Sequence, residues 1–115
     1  MTLIKKAKEL GRQLKDTKEY QELERTGAQL REDTTAQQVI QEVQDAQQKI
    51  EFSQKAGVQP SQEQLTEFQQ KRQGMQTNVT IRAFMKAQED FNTVMKKVND
   101  AISEGVKGED NNNEE

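Results

Sequence analysis

The sequence contains no cysteine and no histidine, and these absences remove several classes of chemistry. Without cysteine the chain can form neither disulfides nor Cys-ligated metal clusters, so cysteine usage leaves its redox compartment undetermined. Without histidine it lacks the most common general base and the most common ligand of transition metals. The six glycines are scattered singly, so no phosphate-binding loop is present, and no serine has a histidine to activate it. We therefore expect a protein that is not an enzyme and that has no catalytic residue, no metal site and no cofactor.

Apolar residues are also scarce, at 30% of the chain, whereas a typical globular domain has about 45–50%. A chain of 115 residues with so little apolar material makes a thin core, so we expect a partner chain to complete the burial. No apolar run approaches the roughly 20 residues that cross a membrane, and the first residues lack a signal-peptide core. These features favour a cytoplasmic protein without a membrane partner. The net charge of −3 argues against bulk attraction to nucleic acid.

The residues that are abundant favour helices. Gln, Glu, Lys and Ala dominate, there is one proline, and runs of β-branched residues are missing. A capping-box pattern over Asp16–Glu19 and the competent caps Asp33–Thr35 separate the first three predicted helices. Gly57–Pro60 predicts a hairpin loop, followed by a second capping box at Ser61. Gly74–Asn78 predicts either a kink or a break, and the sequence does not choose between them.

The rest of the chain must pack onto the last long helix, predicted from about Asn78 to Ser103. Its apolar residues recur at alternating spacings of three and four, as in a heptad seam. Gln88 is the polar exception: it could fix the register with a partner, but its length favours a place at the water-exposed edge. The candidate core and interface seam comprises Ile81, Phe84, Gln88, Phe91, Val94, Met95, Val98 and Ile102.

The first predicted helix is amphipathic. Its apolar stripe is formed by Leu3, Ala7, Leu10 and Leu14. Its candidate basic face is formed by Lys5, Lys8, Arg12 and Lys15. This face could serve as a ridge for RNA or for an acidic partner, but a solvated outer face is the favoured interpretation, because amphipathicity itself requires charge there.

Several short stretches occur in a characteristic order over about residues 3–104. They are Ala7–Leu10, Lys18–Tyr20, Asp33 with Ala36–Ile40, Gly57–Glu63, and Asn78–Phe84 followed by Ala87–Glu89 and Phe91. In this order they resemble the YlbF/YmcA/YheA family of small bacterial helical proteins. The resemblance implies an all-helical open bundle that dimerises, or assembles further, through long helices.

The same resemblance implies a regulatory role. The better-known members are cytoplasmic proteins of Gram-positive bacteria that form a complex with another family's protein. They support RNase Y-dependent mRNA processing and influence competence, sporulation and biofilm formation. Some members ligate an iron–sulfur cluster through cysteines. Because this chain has no cysteine, it is more similar to the YheA-like branch, and the cluster is not carried over.

We therefore predict an all-α homodimer of four to five helices, an open bundle built on a long antiparallel helical hairpin. Residues 1–104 form a single domain, and residues 105–115 form a disordered acidic tail. The predicted function is regulation by protein–protein interaction, with itself and with other members of a regulatory complex. One alternative is a prefoldin-like hairpin chaperone, which needs exposed apolar tips around Val58 and at the chain ends, although this loop is mostly polar. The other is direct RNA binding through the basic face.

The missing ligand types give a first testable expectation. The purified protein should carry neither an iron–sulfur cluster nor stoichiometric zinc, because the usual thiolate and imidazole ligands are absent. Elemental analysis of protein purified without chelators measures this directly. One metal ion per chain would contradict the expectation.

Overall fold

The computed structural model describes residues 1–108, and within that range it contains helices and no strand. The five helices are α1 (Thr2–Lys15), α2 (Lys18–Glu32), α3 (Thr34–Lys55), α4 (Gln62–Thr77) and α5 (Val79–Lys107). The predicted all-α class with four to five helices is confirmed. Dimerisation stays a prediction.

The end of α5 differs from the prediction. The helix continues through Gly105 to Lys107, so residues 105–107 are helical and do not belong to a disordered tail. A single glycine costs a helix only about 1 kcal/mol, which a helix of 29 residues tolerates. The left-handed turn that ends the helix is taken by Gly108, with φ 75°. Residues 109–115 of the predicted acidic tail lie outside the described residues.

The α1–α2 junction is capped by Thr17, so the capping box predicted at Asp16 is wrong. The Thr17 hydroxyl accepts the backbone N–H of Tyr20 (3.1 Å) and donates to the backbone carbonyl of Leu14 (2.7 Å). It therefore satisfies a free backbone N–H at the start of α2 and adds a hydrogen bond to a carbonyl in the last turn of α1. Asp16 ends α1 with helical backbone angles, φ −87° and ψ −4°, whereas an N-cap residue needs extended ones.

Asn78 breaks the chain between α4 and α5, which decides the alternative left open by the sequence. Its backbone is extended (φ −76°, ψ 124°), so the two helices are separate and not one kinked helix. Its side-chain oxygen accepts the backbone N–H of Ile81 at 3.0 Å, as an N-cap of α5 does. The predicted capping box at Ser61 is present, with Gln64 as its second member.

The chain divides into two compact units. The central unit comprises residues 24–85, and the terminal unit comprises residues 1–23 with the described part of residues 86–115. Neither α2 nor α5 is confined to one unit, since each helix crosses a boundary. The single domain predicted over residues 1–104 stays a prediction.

Helices α3 and α4 form the predicted antiparallel hairpin inside the central unit. Near the loop, Ser53 on α3 faces Gln64 on α4, with 3.4 Å between Oγ and Oε1. Farther from the loop, Glu42 on α3 pairs with Lys71 on α4 at 3.3 Å. Residue numbers therefore decrease along α3 from Ser53 to Glu42 while those of their partners on α4 increase from Gln64 to Lys71, as they do when two helices pack antiparallel. Gly57, with φ 75°, closes α3 before the loop.

The core of the central unit is small and is built partly from small residues. Leu30, Ala36 and Ile81 are buried, and four partly buried apolar side chains pack against them. These four are Val39, Ile40, Met75 and Phe84. Val43 and Ala46 extend the buried row along α3. Leu65 on α4 is exposed and adds little to the hairpin's inner face.

Asp33 fixes the corner between α2 and α3 and joins it to the start of α5. One carboxylate oxygen accepts the backbone N–H of Ala36 (3.0 Å), and the other accepts the hydroxyl of Thr80 (2.7 Å). These bonds, first that from Ala36 and then that from Thr80, hold the pKa of Asp33 below its ordinary value of 3.8. They outweigh the opposing effect of partial burial. Beside this carboxylate, the Gln37 amide donates to the carbonyl of Leu30 at 2.9 Å.

The terminal unit buries less of its apolar surface. Helix α1 has no buried residue, although it is strongly amphipathic. The rings of Tyr20 and Phe91 meet edge to face, with centroids 5.5 Å apart and planes at 63°. This geometry is favoured by the ring quadrupoles. Ala87 is buried, whereas Phe91 is only half-buried.

Replacing Phe91 by Ala tests whether the predicted seam marks an inner face. We expect a loss of about 2–4 kcal/mol, because the change removes a large, half-buried ring together with its contact to Tyr20. Lys8→Ala, on the exposed basic face, is the control and should change stability by less than about 0.5 kcal/mol. Urea melts give both values. A normal melt for Phe91→Ala with a strongly destabilised Lys8→Ala would mean that the helix faces are inverted.

The Asp33 bonds predict a specific response to acid. Because the folded-state pKa lies below the unfolded one, the stabilisation is present above about pH 4 and is lost as the pH falls through the folded pKa. Thr80→Val removes one of the two bonds and should raise the pKa of Asp33. Thr77→Val is the control, because that hydroxyl donates to carbonyls of its own helix. NMR titration of the Asp33 carboxyl carbon measures the midpoints; equal midpoints in Thr80→Val and the parent would contradict the assignment.

Candidate interaction surfaces

The predicted seam is divided between the two units. In the central unit Ile81 is buried and Phe84 is half-buried, both in the core around Leu30. In the terminal unit Gln88 is exposed to solvent, and Ile102 is more than half exposed. The remaining members, Phe91, Val94, Met95 and Val98, are half-buried. The seam therefore supplies core residues at its start and partly exposed apolar residues toward its end. Its use as an interface stays a prediction.

Exposed apolar side chains are concentrated at the first turn of α1 and the last turns of α5. We name them the terminal apolar residues: Met1 (86% exposed), Leu3 (66%), Ile4 (49%), Ile102 (55%) and Val106 (84%). The sequence pattern pointed to Leu3 and Ile102. It missed Ile4, which lies one position beside the stripe, and Val106, which lies beyond the predicted helix end.

The candidate basic face lies along α1 in the terminal unit. Its four members, Lys5, Lys8, Arg12 and Lys15, are all exposed. On the same helix Leu10 and Leu14 are half-buried, so the two faces are distinct, as the spacing predicts. The structure therefore places the basic side chains in solvent, which is compatible with both interpretations of this face.

A third surface lies in the central unit, on one side of the α3–α4 hairpin. It is an open groove of about 540 Å³, lined by Asp45, Gln48, Lys49, Phe52, Ser53 and Gln64. Phe52 is the apolar member of this set and is 76% exposed. Lys49 pairs with Glu67 of α4 at 3.5 Å, whereas Asp45 accepts a hydrogen bond from the Gln41 amide at 3.0 Å. We name this surface the hairpin groove.

Sequence reasoning did not single out Phe52. The apolar row of α3 runs through Val39, Val43, Ala46 and Ile50, and Phe52 lies outside it. The signal that could have identified it is a large aromatic residue that lies off the apolar stripe of its helix. Val58 in the hairpin loop is also exposed, and so are Met1 and Val106 near the chain ends, which are the two places where the chaperone alternative requires exposed apolar residues.

Two further classes of site are absent from residues 1–108. That range holds no group of three or more acidic side chains arranged to bind a metal ion. None of its helices combines the length and the apolar character needed to cross a membrane.

Comparison with known proteins gives a family. Residues 3–107 match the profile of the family described as "Control of competence regulator ComK, YlbF/YmcA". A curated relative, the UPF0342 protein of Oenococcus oeni (strain ATCC BAA-331 / PSU-1), is 29% identical over 102 residues, which cover 89% of this chain and 90% of that protein. No solved structure gives a significant match. The profile spans nearly the whole helical part, and it confirms the resemblance seen in the sequence: this chain belongs to the YlbF/YmcA family.

Proposed function

We propose that this chain is a cytoplasmic, non-catalytic regulator that acts through protein–protein contacts. The family is described by its control of a competence regulator, which supports a regulatory role. The observation that carries the proposal is the set of terminal apolar residues, which a single chain leaves in water. Three of them, Met1, Leu3 and Ile4, stand within four residues of one another, and grouped exposed apolar side chains commonly mark an interaction site.

A second copy of the chain is the proposed occupant of this surface. Helix α1 has a full apolar stripe but no buried residue, and four seam residues of α5 are only half-buried. Each apolar Å² removed from water contributes about 25 cal/mol, so pairing such surfaces is favourable. A two-fold dimer would bring each surface against its counterpart in the other copy, which is the commonest arrangement of homo-oligomers.

Oligomeric mass tests the dimer. We expect light scattering to give a dimer at micromolar concentration, and we expect Leu3→Asp and Ile102→Asp each to shift the mass toward the monomer, because each buries a charge in the interface. Val79→Asp is the matched control, since Val79 is 81% exposed but belongs to the central unit. A monomeric parent would overturn the dimer, and a dimer that neither Leu3→Asp nor Ile102→Asp weakens would overturn the assignment of its interface to the terminal apolar residues.

Direct RNA binding by the basic face is the competing function, and the exposure of its four cations is what favours it. Phosphate contacts release counterions, so such binding must weaken steeply with salt. Titration of single-stranded RNA at two salt concentrations, with the parent and with Lys8→Glu, separates the two functions. Salt-sensitive binding that Lys8→Glu abolishes would favour RNA over the protein-contact role.

A further inference from the structure

We infer that the hairpin groove is a docking site for a short amphipathic helix of another protein. That helix carries an apolar anchor and, two turns away, a lysine or arginine. The inference rests on the proposed function, because it names the class of partner for a protein that acts through contacts. It concerns a surface of the central unit, separate in sequence from the terminal apolar residues proposed for the dimer.

The first argument is the shape and lining of the groove. Its volume of about 540 Å³ lies within the range of small-molecule sites, which is roughly 300–1,000 Å³. Small-molecule sites, however, enclose their ligand with mostly apolar walls, whereas this groove is open and five of its six lining residues are polar. One large aromatic side chain in an open groove along a helix suits the apolar face of a second helix.

The second argument is charge. Lys49 is already compensated by Glu67 of α4, at 3.5 Å. Asp45 accepts its hydrogen bond from the neutral amide of Gln41, and within residues 1–108 it takes part in no ion pair. A carboxylate without an ion pair, at the edge of an apolar contact, favours a partner that places a cationic group beside it.

The third argument is spacing. Asp45 and Phe52 both line the groove and are separated by two turns of α3, about 10 Å at 1.5 Å per residue. A partner helix lying along α3 has the same rise. Its apolar anchor can therefore meet Phe52 while a cationic side chain two turns away meets Asp45. This spacing is a recognition rule, and it can be built into a peptide.

The size of the contact argues against a second copy of the chain as the occupant. A phenylalanine buries at most about 250 Å², whereas stable protein interfaces bury about 800 Å² per partner. The apolar part of the groove is therefore too small to hold a permanent dimer. It fits a weak, reversible contact with a short segment, as is usual in regulation.

The probe is a synthetic stapled helix with a central leucine and a lysine two turns to either side, so that either orientation satisfies the rule. A second peptide has glutamate in place of both lysines. We expect the lysine peptide to bind the full chain, with NMR shifts confined to residues around 45–64, and the glutamate peptide to bind about threefold to tenfold more weakly.

Three variants define the contact. Phe52→Ser should weaken binding of the lysine peptide by about tenfold or more, because the anchor is lost. Asp45→Lys should reverse the preference between the two peptides. Val79→Ser, an equally exposed apolar residue of the same unit, should leave both affinities unchanged. Phe52, Asp45 and Val79 are all exposed, so the variants should keep the fold, and circular dichroism checks this.

Each other outcome overturns the inference. It fails if neither peptide binds, or if binding survives Phe52→Ser. It also fails if Phe52→Ser lowers the oligomeric mass, because the groove is then an interface between copies. Loss of binding to anionic vesicles in Phe52→Ser would assign the groove to a lipid surface instead. None of these results changes the light-scattering test of the terminal apolar residues, so failure here and failure of the proposed function remain distinguishable.

Discussion

The supply of apolar side chains is the constraint on which the rest of this structure depends. With 30% hydrophobic residues, the chain fills several of its most buried positions with small ones, such as Thr26, Ala36, Ala46 and Ala87. Small side chains remove little area from water, so each contributes little free energy. Within the chain, the remaining stability must come from helix ends and from the few large residues. This balance suits a protein whose apolar surface is reserved for partners.

Helix ends are where the chain compensates. Thr17, Asp33, Ser61 and Asn78 each place a side-chain oxygen on a free backbone N–H at the start of a helix. Such caps typically stabilise a protein by about 1 kcal/mol, which is large beside a total of roughly 5–15 kcal/mol. The breaks between helices are therefore stabilising elements, and they set where each helix begins.

Most of the fold could be predicted from the sequence, because spacing and capping are local signals. The three-four spacing located α5, and Ser61 and Gly57 located the hairpin. What failed depended on competition between neighbours: Thr17 displaced Asp16 as a cap, and Gly108 displaced Gly105 as the helix end. The hairpin groove could not be predicted, because it depends on how α4 packs against α3 and leaves Phe52 exposed. Exposure follows from tertiary packing, which a periodicity along one helix does not specify.

The division into units also bears on the order of events during synthesis. The antiparallel hairpin joins segments close in sequence, so its chain closure costs little entropy and it can form early. The terminal unit combines residues 1–23 with residues beyond 85, so its two parts meet only after α5 has left the ribosome. Until then α1 is a nascent amphipathic helix without its counterpart. The apolar surface proposed for partners is therefore completed later than the hairpin.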